Sequence, residues 1–199
     1  NIKYANGEFL IDTNHKITLK DAAFMIFADI KSADTIFSVT VKKDTAAPPF
    51  AATFVDIDLN LRTGKITPIK IVQLLDCGKI VNPTLAEGQI HGTTLQALGF
   101  ALYEDLTYSK SGKIIENDWL TYKFPTIFEK PKIEVYFADT NEPTGPLGIK
   151  AVGEVAFASV APAINNALFA ACNIQLTKLP MTSERVLAAL EIEKQKYIK

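Results

Sequence analysis

The stretch Val55-Asp56-Ile57-Asp58-Leu59-Asn60-Leu61 alternates apolar with polar side chains. This period of two is typical of a strand with one buried face and one wet face. Arg62-Thr63-Gly64 then predicts a turn, and Ile66 to Leu75 returns as a second strand, which makes a hairpin. Pro68 has no N–H for a sheet ladder, so we expect an edge or a bulge at that point of the return strand.

Further elements are predicted on both sides of this hairpin. The helix signals are apolar runs with caps at Leu19 to Ala28, Pro83 to about Glu104, Phe157 to Ala171, and Thr182 to about Lys196. Strands are expected at Ile36 to Val41, Ile133 to Ala138 and Gln175 to Leu179, and a turn at Asn6-Gly7. Because strands occur in hairpins as well as between helices, the sequence predicts an α+β fold. Its mixed or antiparallel sheet packs against glycine- and alanine-rich helices.

The length fits a single domain over residues 1–199, with a weak internal boundary near 46–49, where Ala46-Ala47-Pro48-Pro49 interrupts the pattern. Hydrophobic residues make up 48% of the chain and charged residues 22%, which is enough for a packed core. The net charge of -1 argues against a nucleic-acid partner. No apolar run has the length of a membrane span, so we expect no membrane partner.

Cysteine and histidine are scarce in the sequence. The two cysteines, Cys77 and Cys172, form no CxxC pair, and the two histidines, His15 and His91, lie far apart. A protein-ligated metal site is therefore not expected. Two reduced thiols in a cytosolic protein are the simpler interpretation.

A glycine-rich loop offers the first indication of a ligand site. Thr144 to Glu154 reads TGPLGIKAVGE, and a long apolar helix follows it. Glycines let a backbone approach a ligand closely, and the N–H groups at a helix start favour an anion. Glu154 is the only acid in this loop. The pattern indicates a site to which the protein contributes backbone amides and one base.

Glycines also interrupt the predicted helix after Asn82-Pro83. Gly88, Gly92 and Gly99 lie in its interior, where each costs about 1 kcal/mol relative to alanine. Their presence implies close packing against a neighbouring backbone or against a ligand.

The order of motifs along the chain resembles that of a known family. Seven motifs follow one another in this order: DCGKIVNP from Asp76, EGQIHG from Glu87, QALGFALYE from Gln96, YKFP from Tyr122, GPLGIKAVGE from Gly145, VAPAINNA from Val160 and LPMTSERVL from Leu179. This arrangement, collinear from roughly Pro49 to Leu190, closely resembles one region of the molybdenum hydroxylases. These are the xanthine dehydrogenase, aldehyde oxidase and carbon monoxide dehydrogenase family.

In that family the region is the C-terminal part of the molybdopterin-binding subunit, and the dithiolene of the pterin holds the metal. The resemblance therefore implies molybdopterin, alone or in its cytosine dinucleotide form, and no protein ligand to the metal in this chain. It implies iron–sulfur and FAD centres on partner domains or subunits, and a small-molecule substrate. The expected activity is a cytoplasmic oxidoreductase that hydroxylates an N-heterocycle or an aldehyde carbon.

The resemblance also assigns roles to residues. It makes Glu154 the general base that deprotonates a molybdenum-bound hydroxyl, which fits a carboxylate beside a metal that lowers the pKa of its ligand. The residues expected to contact the cofactor are Gln89, Gly92, Lys150, Ala151, Val152 and Gly153.

Simpler interpretations stand beside these assignments. Glu154 is also the acid that a helix start favours, an effect of roughly 0.3–1 kcal/mol. Gln89 also fits a surface amide, and His91 a polar residue of its helix. Lys150 is either a solvated loop cation or a partner of an anionic cofactor. Asp76 is expected to bond the turn at Gly78.

The chain departs from the family pattern at a few positions. Ile149 stands where a smaller residue is usual, while Ala151 and Ala97 stand where glycine is common. None of these changes removes Glu154. The family's earlier cofactor loops and most of its substrate pocket lie upstream of this region. We therefore expect half of a site, as a natural small subunit or an excised domain, which needs the remainder of the molybdenum subunit.

Three functions follow from the sequence. The preferred one is the cofactor-binding part of a molybdenum hydroxylase. The second is a non-catalytic module that keeps the fold and only pairs with a partner subunit, although such a module needs neither Glu154 nor the glycine loop. The third, an unrelated nucleotide-binding domain, would need a Walker-type or dinucleotide glycine motif, which the sequence lacks.

Overall fold

The computed structural model describes residues 2–11, 15–28, 38 and 47–196. Contacts divide the chain into two compact units, residues 1–44 and residues 45–199, and each is described by itself. The prediction of one domain over residues 1–199 stays a prediction. The predicted strand at Ile36 to Val41 lies outside the described residues, apart from Ser38.

The first unit is a small antiparallel sheet followed by a helix. Strands β1 (Lys3–Ala5), β2 (Glu8–Leu10) and β3 (Lys16–Thr18) pair in chain order. The Asn6-Gly7 turn is confirmed, and both of its residues have positive φ, 53° and 82°. Helix α1 (Leu19–Ala28) has the predicted bounds. The Oγ1 of Thr18 accepts from the N–H of Asp21 at 3.0 Å, which caps the start of the helix.

The second unit is built on the predicted hairpin. Strands β4 (Phe50–Leu59) and β5 (Ile66–Asp76) are antiparallel, and β6 (Lys132–Phe137) lies parallel to β5 on its other side. The alternation is confirmed along β4, where every second residue is exposed and the others are half-buried. Leu61 belongs to the turn and is exposed, because the strand ends at Leu59.

The predicted irregularity at Pro68 is a bulge. Asp56 pairs with Lys70 and Ile57 pairs with Pro68, so Ile69 is an extra residue on β5. Pro68 is tolerated because the pairing with β6 covers only Lys70 to Leu75.

Three helices complete the second unit: α2 (Pro83–Leu102), α3 (Phe157–Cys172) and α4 (Ser183–Gln195). The predicted caps are confirmed. The Oδ1 of Asn82 accepts from the N–H of Leu85 at 3.1 Å, and the Oγ1 of Thr182 accepts from the N–H of Arg185 at 3.4 Å. The mixed sheet and these helices confirm the predicted α+β fold.

Two groups of buried apolar side chains form the core of this unit. The larger joins β5 to all three helices, and its members include Ile66, Ile71, Ala97, Leu98, Val160, Ile164, Leu168, Val186 and Leu190. The smaller consists of Leu75, Cys77, Ile90 and Ala156. It brings the end of β5, the middle of α2 and the residue before α3 into contact, and the candidate site is built on this junction.

The predicted strand at Gln175 to Leu179 is wrong. These residues have no strand pairing, although Leu176 is half-buried between exposed neighbours. The amide side chain of Asn165 bonds the backbone N–H of Leu176 at 2.9 Å and its C=O at 3.1 Å. A helix side chain thus satisfies the backbone groups that a neighbouring strand would otherwise pair.

Candidate functional site

The glycine loop is attached to the residues that follow β5. The N–H of Lys150 donates to the carbonyl of Cys77 at 2.8 Å, and the N–H of Lys79 donates to the carbonyl of Gly148 at 2.8 Å. A Cβ on Gly78 would lie 2.4 Å from the Gly148 oxygen, so only glycine permits this approach. Gly78 therefore serves contact between two backbone segments of the chain itself.

Two successive residues of the loop have positive φ, and the first of them is not a glycine. Leu147 has φ 55° and ψ 18°, and Gly148 follows with φ 80°. Leucine rarely adopts the left-handed region, and such strain is concentrated at functional sites. The Leu147 side chain is 76% exposed, so the strain does not serve packing against the described residues.

Lys150 forms an ion pair at the base of the loop. Its Nζ lies 2.6 Å from Oδ2 of Asp76, and only 8% of its side chain is exposed. Asp76 also accepts from the Oγ1 of Thr140 at 2.5 Å and from the N–H of Gly78 at 3.2 Å, as predicted for Gly78. The bonds from Lys150 and Thr140 lower the pKa of Asp76 to about 2 from 3.8. Lys150 is therefore not a solvated loop cation.

An open cleft lies between this loop and the start of α2. Its volume is about 200 Å³, and its walls include Cys77, Leu85, Gln89, Lys150 and Val152. Three of the predicted cofactor contacts, Gln89, Lys150 and Val152, thus line one cleft. Ligand pockets usually measure roughly 300–1,000 Å³, so this cleft alone encloses too little space for a large cofactor.

The segment from Ala151 to Val155 carries a series of unpaired amides. None of its backbone N–H groups donates to another residue in the part of the chain that the structure describes. Glu154 is exposed, and within residues 47–196 no side chain bonds its carboxylate. Successive amides that have no partner among the described residues suit an anionic or oxygen-rich group. Unpaired donors and one exposed carboxylate therefore occur together in one five-residue segment.

Three glycines, two on α2 and one within this segment, are not explained by packing. A Cβ on Gly88, Gly92 or Gly153 would meet no atom within 4 Å, and none of the three has positive φ. By contrast, a Cβ on Gly99 would lie 2.0 Å from Oε1 of Glu104 and 2.8 Å from Cδ of Pro125. Gly99 therefore packs closely against two side chains, whereas the prediction named a neighbouring backbone or a ligand. The first three glycines leave room for a group outside the described residues.

Helix α2 reaches the segment through a threonine. Thr93, which follows Gly92, donates from its Oγ1 to the carbonyl of Gly153 at 2.5 Å. The turn of α2 with Gln89 and Gly92 is thus tied to the segment that ends in Glu154. His91 lies on the same helix, with Nε2 3.7 Å from Oε1 of Glu87.

Sequence reasoning missed two of these features. It noted Asp76 only for the Gly78 turn and overlooked the pairing with Lys150, which is 74 residues away. It did not select Thr93, because a threonine within a helix of small residues carries no signal of a tertiary contact. Both contacts depend on the fold, and spacing along the chain does not predict them.

Comparison with known proteins identifies the family. A family model described as "Molybdopterin cofactor-binding domain" matches residues 1–131. The chain belongs to this family. The putative xanthine dehydrogenase molybdenum-binding subunit of Escherichia coli K12 is 36% identical over 172 residues, which are 85% of this chain and 23% of that protein.

Solved structures show the same fold. Reconstituted carbon monoxide dehydrogenase from Oligotropha carboxidovorans superposes with a TM-score of 0.80 at 23% identity, covering 98% of this chain and 25% of that one. Aldehyde oxidoreductase from Desulfovibrio gigas superposes with a TM-score of 0.63 at 30% identity, covering 69% and 15%. The chain thus spans about a quarter or less of the proteins that it matches. No helix among the described residues is long and apolar enough to span a membrane.

Proposed function

We propose that this chain forms one wall of the active site of a molybdopterin-dependent oxidoreductase, with Glu154 as the general base. The observation that carries the proposal is the unpaired amide segment Ala151 to Val155, which contains the exposed Glu154. Family membership supplies the cofactor, and the segment supplies the donors and the carboxylate that a site for it requires.

The donors of this chain fit such a cofactor. The N–H groups of Ala151, Val152 and Gly153 and the exposed amide of Gln89 can donate to its oxygen and nitrogen atoms. Gly92 and Gly153 leave space for a close approach. Lys150 contributes by holding the loop to Asp76. Because the Asp76 carboxylate neutralises the charge of Lys150, this lysine is not a free cation for the cofactor.

The proposed reaction is the hydroxylation of an electron-poor carbon in an N-heterocycle or an aldehyde. When bound, the cofactor would supply the redox centre that takes up the hydrogen of the broken C–H bond together with its two electrons. The Glu154 carboxylate accepts the proton of the oxygen nucleophile as that oxygen attacks the carbon. Its exposure lets it reach a group that approaches from outside this chain.

The proposal includes partners. The remainder of the molybdenum subunit would supply the other wall of the site, because the cleft in this chain is small and open. Iron–sulfur and flavin subunits would carry the electrons away. A relative from Paenarthrobacter nicotinovorans, 31% identical over 145 residues, is named as a subunit of a dehydrogenase complex, which supports an assembly of this kind.

The test is Glu154→Gln in the assembled enzyme. Loss of a general base typically lowers turnover by about 10²- to 10⁴-fold, so we expect kcat to fall by about 10²-fold or more. Molybdenum content should remain near that of the parent enzyme, since the backbone donors are unchanged. Steady-state kinetics together with elemental analysis measure both quantities on the same material.

Asp139→Asn serves as the control for the loss of charge. Asp139 is exposed and follows β6, so we expect the Asp139→Asn substitution to leave kcat unchanged. Full activity in Glu154→Gln would remove Glu154 from the mechanism. Absence of molybdenum from the parent assembly would instead favour the non-catalytic interaction module.

A further inference from the structure

We propose that Thr93 is a positioning residue, which sets the direction of Glu154 through the carbonyl of Gly153. The inference rests on the proposed role of Glu154 as the base. It adds a residue on a different element, 61 positions earlier in the chain. Thr93 itself acts on the backbone and has no direct role in the chemistry.

The geometry distinguishes Thr93 from its neighbour. Thr94 donates from its Oγ1 to the carbonyl of Ile90 in its own helix at 2.7 Å, which is the usual choice for a threonine within a helix. Thr93 instead donates across to the carbonyl of Gly153 at 2.5 Å. Its side chain is buried, at 6% exposure, and a β-branched side chain is stiff about χ1. The donor is therefore held in place.

The accepting carbonyl belongs to the peptide that joins Gly153 to Glu154. A peptide unit is planar, so fixing its C=O also fixes the direction of the Glu154 N–Cα bond. Because Gly153 has the widest backbone freedom of any residue, this peptide would otherwise sample many orientations. The bond from Thr93 replaces the restraint that a side chain at residue 153 would provide.

The C-terminal side of Glu154 is held by a partly buried chain of hydrogen bonds. Thr53 donates to Oε1 of Gln73 at 2.7 Å, and Nε2 of Gln73 donates to Oγ1 of Thr94 at 3.2 Å. Ser159, in the first turn of α3, lies 2.5 Å from Oγ1 of Thr53. The single hydroxyl hydrogen of Ser159 has two acceptors within reach, Oγ1 of Thr53 and the Ala156 carbonyl at 3.2 Å.

This chain connects α3, through both hairpin strands, to α2. Gln73 and Thr94 are fully buried, so the loss of the bond between them lowers the stability of the fold. Its bonds among Ser159, Thr53 and Gln73 hold the first turn of α3 to the hairpin, on the C-terminal side of Glu154. Glu154 thus lies between a direct anchor at Gly153 and a rigid helix start, where the N–H of Phe157 donates to its carbonyl at 3.0 Å.

The experiment compares three variants of the assembled enzyme. Thr93→Val keeps the shape and removes the hydroxyl, Thr93→Ser keeps the hydroxyl, and Thr94→Val is the matched control one residue later. For Thr93→Val we expect kcat to fall about 10- to 100-fold, as for a misplaced catalytic group. KM and molybdenum content should stay close to the parent values, and Thr93→Ser should restore kcat to within about threefold.

Amide hydrogen exchange gives a readout that does not depend on turnover. In Thr93→Val the amide of Phe157 should exchange faster, because its acceptor is the Glu154 carbonyl. The amide of Lys150, which bonds to Cys77, should be unchanged. Thr94→Val should lower the thermal midpoint at least as much, yet keep kcat, because the bonds of Ser159 and Thr53 still hold α3 to the sheet.

Three outcomes overturn the proposal. In the first, Thr93→Val keeps full kcat and normal exchange at Phe157 while Glu154→Gln is inactive, which removes Thr93 and leaves the proposed function intact. In the second, Thr93→Ser loses as much activity as Thr93→Val, so the hydroxyl is not responsible. In the third, kcat falls in step with the thermal midpoint in both valine variants, which makes Thr93 structural only. An active Glu154→Gln would defeat the proposed function itself.

Discussion

At the scale of single residues, the ion pair between Asp76 and Lys150 decides how the glycine loop responds to acid. The pKa of Asp76 is about 2 in the folded chain against an ordinary 3.8. A lowered pKa means that this carboxylate stabilises the fold above about pH 4, and that the contribution is lost as the pH falls towards about 2. We predict that Asp76→Asn lowers the thermal midpoint at pH 7, and that its difference from the parent shrinks below pH 4.

Asp58→Asn is the control for this prediction. Asp58 is exposed on strand β4 and makes no ion pair with another described residue, so the same change of charge should shift stability by no more than about 0.5 kcal/mol. A difference between Asp76→Asn and the parent that stays constant from pH 7 to pH 2 would contradict the account. It would mean that the amide alters packing and not a titrating pair.

At the scale of elements, the segment after α3 shows what hydrophobic patterning can and cannot establish. Leu176 is half-buried between two exposed neighbours, as in a strand, yet its backbone N–H and C=O both bond the side chain of Asn165. We predict that Asn165→Ala lowers the free energy of unfolding by about 1–3 kcal/mol, because it leaves both groups without a partner. Urea denaturation measures the change.

The neighbouring residue supplies the matched control. Asn166 is exposed on the same helix, so Asn166→Ala has the same effect on helix propensity without the loss of those bonds. It should change the free energy of unfolding by no more than about 0.5 kcal/mol. Equal effects of the two substitutions would show that Asn165 does not hold the segment.

The parts of the fold that the sequence predicted are those that depend on adjacent residues. Local signals were sufficient for the hairpin, for the bulge at Pro68 and for the caps at Asn82 and Thr182, since each depends on a few adjacent residues. The pattern at Gln175 to Leu179 reports which side chains point inward, but not whether a second strand lies beside them. That depends on Asn165, a residue of the preceding helix.

In the candidate site, too, the sequence predicts the features that adjacent residues form and misses the contacts between distant segments. The glycine loop and Glu154 stand out in the sequence because their residue types are unusual together, and the family motifs assign them a role. The contacts from Thr93 to Gly153 and from Lys150 to Asp76 join segments that are 60 and 74 residues apart. Hydroxyls and charges of this kind are common on any surface, so only the fold distinguishes them.

At the scale of the whole molecule, the described surface carries exposed apolar side chains and backbone amides without partners. Trp119, Leu120 and Phe128 are each more than 80% exposed, and the amides from Ala151 to Val155 are without partners in the described part of the chain. Exposed apolar clusters and unpaired amides on one chain indicate contact with further protein or with a ligand. The matched relatives are about four times as long, which provides a source for that further protein.

We therefore predict that cofactor retention depends on assembly. The 199-residue chain purified alone should hold no stoichiometric molybdenum or pterin, because a cleft of about 200 Å³ cannot enclose the cofactor. Material isolated natively with its partners should contain both, as measured by elemental analysis and pterin fluorescence after gel filtration. A full complement on the isolated chain would show that it carries a complete site. Absence of metal from both preparations would mean that the exposed Glu154 and the open glycines serve contact between subunits, since the fold would then remain without the chemistry.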